Sequence, residues 1–238
     1  PGYPRLMSMW DLYRLALNDI VDREGQTSLS LLPPLEGMLL SQYLIALHPA
    51  DDSGGFGSAD GLNAQQQANR FNAYRAQNYR KGRAVIQAIY DVQEANHGVS
   101  SRESADALVM MGDWLYWQGE REAALEVYQG VIAELVDAGI AQEEIDRQFA
   151  EPLALPDYAG ARVLPRAVAP ATNTVVLDFA VNEQGKVLDL ERVDENEELS
   201  SGLANRLMRK VRKTRFRPQL SMGEPVRTEN VSRAYVVE

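Results

Sequence analysis

The sequence predicts an α+β protein of two modules, in which an all-α region of helical hairpins precedes a small α+β domain with an antiparallel sheet and one helix. Three observations support this fold class. Hydrophobic residues recur at three- and four-residue steps through residues 1–150, and they alternate at two-residue steps in residues 171–238. Prolines concentrate between these parts, so residues 151–170 are predicted to form an extended connector.

Composition and charge agree with a two-module protein. The 238 residues are 45% hydrophobic and 24% charged, which is ordinary for a protein in water, and no apolar stretch approaches the roughly 18 to 20 residues of a membrane span. Residues 161–238 carry 13 basic and 11 acidic side chains, whereas residues 1–160 carry 11 and 23. Because phosphate contacts need a basic surface, we expect no nucleic-acid partner.

The clearest helical pair lies in the sequence "SADALVMMGDWLYWQGEREAALEVYQGVIAELVDAG". Its apolar positions fall on one face of each helix, and Gly119 marks the turn between the two helices. The small residues Gly112 and Ala124 are predicted to lie where the helices cross. A capping signal, "SSRES", precedes the first helix and includes Ser100 and Ser101.

Two further helical segments are predicted upstream. "NRFNAYRAQNYRKGRAVIQAIYDVQEAN" has the same pattern, with Gly82 in the position of the turn, and "LLPPLEGMLLSQYLIALHP" is typical of a first helix of another pair. Between them, Ala50–Gly61 is rich in Gly, Ser and Asp without periodicity. This composition favours a loop over a phosphate cradle, since no Gly-Lys-Ser/Thr follows it.

The C-terminal pattern predicts strand, hairpin, strand, helix and strand. "TVVLDFAV" (Thr174–Val181) alternates, Gly185 favours a turn, and "VLDLERV" returns. Apolar residues at four-residue steps then predict a helix from about Leu199 to Lys213, and "NVSRAYVVE" forms the last strand. The helix is expected to cover one face of the sheet.

The basic run "VRKTRFRPQLSMGEPVR" is interpreted as part of this fold rather than as a phosphate-binding surface. Cations at the end of the helix complement its dipole. Arg206, Arg209, Lys210 and Lys213 would form the solvated helix face, and Phe216 would be buried after the helix ends.

Both modules resemble known families. Residues 104–139 resemble a tetratricopeptide repeat at Leu108, Met111, Gly112, Leu115, Ala124, Tyr128 and Val131. Residues from about 160 onward resemble the C-terminal domain of the TonB energy-transducer family. The matching features are Leu164-Pro165, the hairpin "VLDFAVNEQGKVLDLERV", the basic helix, "RFRP" and the strand "VSRAYVV"; Leu164 and Thr214 depart from the residues common in that family.

The TonB resemblance implies a non-enzymatic periplasmic adaptor that binds an extended peptide beside the last strand of its sheet. The expected peptide-binding residues are Asn230, Val231, Ser232, Arg233, Ala234, Tyr235 and Val236, with Leu164 and Arg166 nearby. The implied partners are an outer-membrane receptor or an inner-membrane motor component. Any signal peptide or membrane anchor would lie upstream of Pro1.

Three alternatives stay open. The protein could be a soluble envelope scaffold without energy transduction, a homodimer paired through its last strand, or a hydrolase with an acidic site. In the helical module, Trp114, Tyr116 and Trp117 could line a peptide groove or pack against a neighbouring helix. The two histidines lack metal-binding spacing, and cysteine is absent, so we expect no metal and no cofactor.

Overall fold

The computed structural model describes residues 3–48, 59–171, 173–194 and 201–236. The chain is mixed α+β, and it divides into two compact units: Pro1–Gln118, called here the helical unit, and Gly119–Glu238, called the sheet unit. Among the described residues, no helix combines the length and the apolar character needed to cross a membrane.

The helical unit contains five long helices. They are α1 (Tyr3–Glu24), α2 (Leu32–Leu47), α3 (Ala59–Ala76), α4 (Asn78–His97) and α5 (Arg102–Gln118), with a short 3-10 helix at Leu29–Leu31 before α2. Helix α2 packs against both α1 and α4, and α4 packs against α5. The predicted loop at residues 50–61 lies largely outside the described residues.

The predicted cap of α5 is confirmed. The backbone N–H of Ser104 donates to Oγ of Ser101 at 3.1 Å, which satisfies one of the amide groups that the first turn leaves unpaired. The sequence could predict this cap because a capping side chain bonds to an amide only three residues away.

The prediction of a turn at Gly82 is wrong. Gly82 lies inside α4, and the chain breaks between helices at Gln77 instead. The glycine serves a close helix contact: a Cβ atom at this position would lie only 2.1 Å from Cζ2 of Trp114 on α5. The Trp114 indole N–H also donates to the carbonyl oxygen of Tyr79 at 3.2 Å.

A buried polar network connects three helices of this unit. Nδ2 of Asn78 donates to the backbone carbonyl oxygen of Gln42 at 2.7 Å, and Nε2 of Gln118 donates to Oδ1 of Asn78 at 3.2 Å. Unpaired polar groups are costly to bury, so this network favours one alignment of α2, α4 and α5.

The sheet unit begins with helices α6 (Arg121–Asp137) and α7 (Gln142–Phe149). Its remaining elements are β1 (Leu153–Leu155), β2 (Asp157–Tyr158), β3 (Ala161–Arg162), β4 (Ala167–Val168), β5 (Thr174–Val181), β6 (Val187–Arg192), α8 (Ser201–Lys213), β7 (Arg215–Arg217), β8 (Gln219–Ser221), β9 (Glu224–Val226) and β10 (Thr228–Val236). Strands β1 and β7, β2 and β3, and β8 and β9 form antiparallel pairs, and four strands form a larger antiparallel sheet in the order β4-β10-β5-β6.

The predicted order of hairpin, helix and last strand is confirmed in the four-stranded sheet. Gly185 has φ +67° in the turn between β5 and β6, as the turn prediction requires. Helix α8 packs its buried Ala204, Leu207 and Val211 in one core with the sheet residues Val175 and Leu177. The predicted Leu199 lies outside the described residues.

The basic stretch also follows its prediction. Arg206, Arg209, Lys210 and Lys213 are exposed, and Phe216 is buried against the core, with its ring centroid 5.6 Å from that of Phe179. The cations therefore form the solvated face of an amphipathic helix.

The compact units divide the chain earlier than the predicted boundary at residue 150. Helices α6 and α7 belong with the strands because specific contacts tie them there: α7 packs against β8, and Nε2 of Gln129 donates to Oε1 of Glu224 at 3.1 Å. The buried Arg217 stacks over Tyr128 and Phe149 and donates to the carbonyl oxygen of Gln148 at 3.1 Å. The predicted pairing of helices across Gly119 joins elements of different units and stays a prediction.

The segment 151–170 is more than a connector. It contributes β1, β2, β3 and β4, and two of these pair with strands far along the chain, β1 with β7 and β4 with β10. The proline pattern correctly predicted extended backbone here, but it did not indicate which strands, β7 and β10, these residues pair with.

Candidate functional site

The last described strand, β10, is an inner strand of its sheet rather than an edge. On one side it pairs antiparallel with β5 over most of its length. On the other side it pairs with β4, where Ala234 faces Val168 and Tyr235 faces Ala167. The prediction of a free edge is therefore wrong at Ala234 and Tyr235, because the chain's own residues already occupy that part.

The ladder between β5 and β6 shows which backbone groups of β10 point toward β4. The N–H of Val193 donates to the carbonyl of Val176, so Val176 directs its polar groups to β6. Because these directions alternate along a strand, its neighbours Val175 and Leu177 direct theirs to β10. Their partners Tyr235 and Arg233 consequently bond to β5.

The intervening residues of β10 have the opposite direction. Ser232 and Ala234 direct their N–H and C=O groups to the side of β4. Those of Ala234 are opposite Val168. Extending the same register places Pro170 opposite Ser232, and proline has no N–H to donate. This is the physical reason why β4 ends at Val168 and does not pair with Ser232.

A bulge limits the unpaired part of β10 at its other end, before Val231. The register of β10 with β5 shifts between Thr228 and Val231, and Asn230 within this bulge has φ +55°. A bulge interrupts regular pairing. The backbone available for regular pairing is therefore centred on Ser232, whose side chain is exposed.

The opposite edge of the sheet, β6, is protected in the usual ways. Its register with β5 also shifts, and Asp189 there has φ +51°. Asp189 and Glu191 are exposed charges on this edge. Bulges and charges both discourage the addition of another strand. Among the residues that the structure describes, the β10 side alone combines regular backbone with a position, Ser232, that no strand pairs with on that side.

A cavity of about 170 Å³ lies beside β4 and β10. Its lining comes from the β1–β2 segment, the β3–β4 segment, β7 and β10. It comprises Leu153, Ala154, Pro156, Asp157, Arg162, Leu164, Pro165, Arg166, Ala167, Phe216, Arg233 and Tyr235. The structure thus brings four of the predicted site residues, Leu164, Arg166, Arg233 and Tyr235, to one place.

The cavity carries three guanidinium groups with different surroundings. Arg233 donates to Oε2 of Glu151 and to the carbonyl oxygen of Pro152, both at 3.1 Å. Arg162 forms an ion pair with Asp157. Arg166 is exposed and makes no ion pair with any residue that the structure describes.

The remaining predicted site residues of β10 divide by face. Val231 and Tyr235 point into the core and are buried, whereas Asn230 and Ser232 are exposed. Burial raises the pKa of the Tyr235 phenol above its usual value. Ala234 is buried on the opposite face, and Val236 is half-buried.

The sequence left two roles open for the aromatic residues of α5, a groove or packing, and the burial of two of them excludes the groove there. Trp114 is 0% exposed and Tyr116 is 1% exposed, so neither lines an open surface. Trp114 lies over Gly82 and contacts the edge of Tyr43, with ring centroids 4.9 Å apart. Trp117 is half-buried, with its ring centroid 5.3 Å from that of Tyr43. Packing is therefore the role of Trp114.

In the described part of the chain, the ligand sets that metals need are not brought together. Across residues 3–48, 59–171, 173–194 and 201–236, no group of three or more histidine or acidic side chains is placed to bind an ion.

Sequence reasoning missed β4 and its limiting residue Pro170. The signal was present as two prolines, Pro165 and Pro170, around the short run Arg166–Ala169. Extended backbone was inferred from it, but the partner strand lies more than 60 residues away, as the pairing of Val168 with Ala234 illustrates.

No protein-family model, curated protein or solved structure matches this chain.

Proposed function

We propose that this chain is a non-enzymatic interaction protein of the periplasm, in which the sheet unit binds an extended peptide by strand addition to β10 and the helical unit is a scaffold. The partner implied by the TonB resemblance is an outer-membrane receptor, in an energy-transducing complex. Strand addition needs unpaired backbone groups in a regular strand, beside space for side chains.

One observation carries the proposal: the backbone of Ser232 points to a side of β10 that β4 does not cover. The arrangement suits a peptide because the cavity of about 170 Å³ adjoins this side. A guest side chain there would meet apolar surface from the half-buried Leu153 and Ala154 and the exposed guanidinium of Arg166. By contrast, the β6 edge is bulged and charged.

The test begins with a library of random 12-residue peptides displayed on phage and selected on the full chain. Affinities of the selected synthetic peptides are then measured by calorimetry for the wild type and for Ser232→Pro. Proline at this position removes an N–H that points away from β5, so the β5 ladder keeps its bonds. Ser232→Ala is the matched control, because it keeps the N–H and loses only the hydroxyl.

We expect Ser232→Pro to weaken binding about fivefold, the effect of losing one hydrogen bond worth about 1 kcal/mol, and Ser232→Ala to bind like the wild type. Circular dichroism and the melting temperature verify that both variants fold. Equal binding by the wild type and a folded Ser232→Pro protein would contradict the proposal, as would selected peptides that protect only amides of residues 3–118 from hydrogen exchange.

A further inference from the structure

We infer that β4 is a displaceable cover: the chain places its own Ala167 and Val168 on the β10 edge, and a guest peptide must remove them to pair with more than Ser232. This inference rests on the proposed function, and it concerns the regulation of the same site.

The first argument is the number of backbone groups that a guest can reach. Regular pairing on this side of β10 is limited by the bulge at Asn230 and by β4 at Ala234. Between these limits, the alternation leaves the N–H and C=O of Ser232 alone. The next groups along the strand belong to Ala234 and are opposite Val168. A longer ladder therefore requires that β4 leaves.

The second argument is that β4 is weakly held. It consists of two residues, and Val168 is 42% exposed. Ala167 is half-buried and contributes only a methyl group to the core. Segments with few buried contacts open at low free-energy cost while the rest of a domain stays folded.

The third argument is that the segment is anchored at both ends. Leu164 is 5% exposed and belongs to the core of the sheet unit. At the other end, Oγ1 of Thr174 donates to the carbonyl oxygen of Ala171 at 2.7 Å, and the Ala171 N–H donates to Oγ1 of Thr174 at 2.9 Å. The residues from Pro165 to Pro170 thus form a short strap between two fixed points. They can leave the edge and return while the core loses only the methyl group of Ala167.

A reversible lock tests this inference. The chain contains no cysteine, so Val168→Cys combined with Ala234→Cys can form only one intramolecular disulfide. Hydrogen-bonded antiparallel partners have Cα atoms about 5.5 Å apart, which is within the range that a disulfide spans. A matched control lock joins Asp178→Cys and Glu191→Cys, which are partners in the ladder of β5 with β6.

The first readout is residue-level amide hydrogen exchange by NMR, without any ligand. The amides of Arg233 and Tyr235 point to β5, whereas that of Ala234 is protected by β4 alone. We expect Ala234 to exchange at least about tenfold faster than its two neighbours, which corresponds to an opening about 1.4 kcal/mol less costly. The oxidised lock should remove the difference and reduction should restore it. Equal, slow exchange of the three amides in the wild type would overturn the inference.

The second readout is the affinity of the phage-selected peptides. We expect the oxidised Val168→Cys/Ala234→Cys protein to lose at least about tenfold in affinity and to regain it on reduction, while the control lock has no effect. Val168→Pro removes the N–H that faces Ala234, and it should bind about tenfold more tightly than the wild type if β4 covers the edge in about nine molecules of ten. Val168→Ala keeps that N–H and serves as its control.

The outcomes separate the two proposals. Binding that depends on Ser232 but is unchanged by the lock and by Val168→Pro overturns the cover and leaves the proposed function standing. Failure of every variant, including Val168→Pro, to bind any selected peptide overturns the proposed function together with the regulatory role of β4.

Discussion

The helical unit and the sheet unit satisfy their backbones in different ways. Each helix pairs its own amides internally, so the helical unit needs only side-chain contacts to hold α2, α4 and α5 together. The sheet unit must find partners between strands, and its four-stranded sheet has two sides to protect. It protects β6 with a bulge and charge, and it protects β10 with two residues of β4.

The two units also differ in how they use large side chains. In the helical unit, Trp114 fills the space over Gly82, so the ring contributes to stability and is inaccessible to a ligand. In the sheet unit, Phe216 and Tyr235 are buried in the core and also form one wall of the cavity beside β4. The comparison teaches that an aromatic-rich helix was the less informative place to look for a binding surface.

The largest expected effect is that of Phe216→Ala on the sheet unit. Phe216 is 1% exposed and packs beside Phe179, and such a truncation costs about 3–5 kcal/mol in the free energy of unfolding. Urea denaturation monitored by circular dichroism measures the loss. Met222→Ala provides the control, because Met222 is 86% exposed and should change stability by less than about 0.5 kcal/mol.

A change below about 1 kcal/mol for Phe216→Ala would contradict the role of Phe216 as a core residue. A loss in the expected range would support that role.

A smaller effect is expected for Gly82→Ala in the helical unit. The new methyl group would lie 2.1 Å from Cζ2 of Trp114, and a buried indole cannot move away freely. We expect a net loss of about 1–3 kcal/mol, although alanine is intrinsically better than glycine in a helix by about 1 kcal/mol. Thermal and urea unfolding measure it.

Gly130→Ala is the matched variant in the sheet unit. Gly130 is an exposed residue of α6, and nothing lies within 4 Å of the position of its Cβ. Here the helix preference acts alone, so the variant should gain about 0.5–1 kcal/mol. If both variants were stabilised, the close contact at Gly82 would be refuted.

The smallest expected effect is on the pH dependence of the sheet unit. Burial raises the pKa of Tyr235 in the folded protein, so the unfolded chain loses this proton first as the pH rises. The stabilisation is complete below the ordinary tyrosine pKa of about 10 and is lost as the pH rises from there through the folded-state value. Urea unfolding at pH 7 and pH 10.5 should reveal a smaller alkaline loss in Tyr235→Phe than in the wild type.

The helical unit should respond differently over the same range. Burial raises the pKa of Tyr74 and lowers that of Lys81, whose ammonium lies 4.1 Å from the centre of the Tyr74 ring. Because the pKa of Tyr74 is raised, its contribution to stability is lost as the pH rises. Because the pKa of Lys81 is lowered, the folded protein becomes more stable as the pH rises through its titration.

An equal alkaline loss of stability in the wild type and in Tyr235→Phe would contradict the assignment of that loss to Tyr235.

Local features of the fold could be predicted from the sequence. The cap at Ser101 and the turn at Gly185 each depend on residues within a few positions, and both are confirmed. The amphipathic pattern of α8 also identified its buried face, including Leu207 and Val211. The candidate site was predicted only in part: the sequence indicated β10 and the neighbouring Leu164 and Arg166, but not that Ala234 is covered.

The same local reasoning failed where a residue serves a distant partner. Gly82 was interpreted as a turn because glycine favours turns, yet its small size is needed for the Trp114 ring from another helix. Likewise, helix periodicity left a groove or packing open for Trp114 and Tyr116, because it counts one buried face, whereas α5 is buried on more than one side.

The sequence by itself determined the β5–β6 hairpin, α8 and the cap of α5, because spacing, caps and turn residues act over a few positions. It also determined where β4 must stop, since Pro170 has no N–H to give. Only the tertiary structure decided that β4 lies on β10, which depends on bringing Val168 to Ala234 across 65 intervening residues. Strand pairing is non-local, and the energy of each pair depends on which residues of a distant segment lie opposite each other in the sheet.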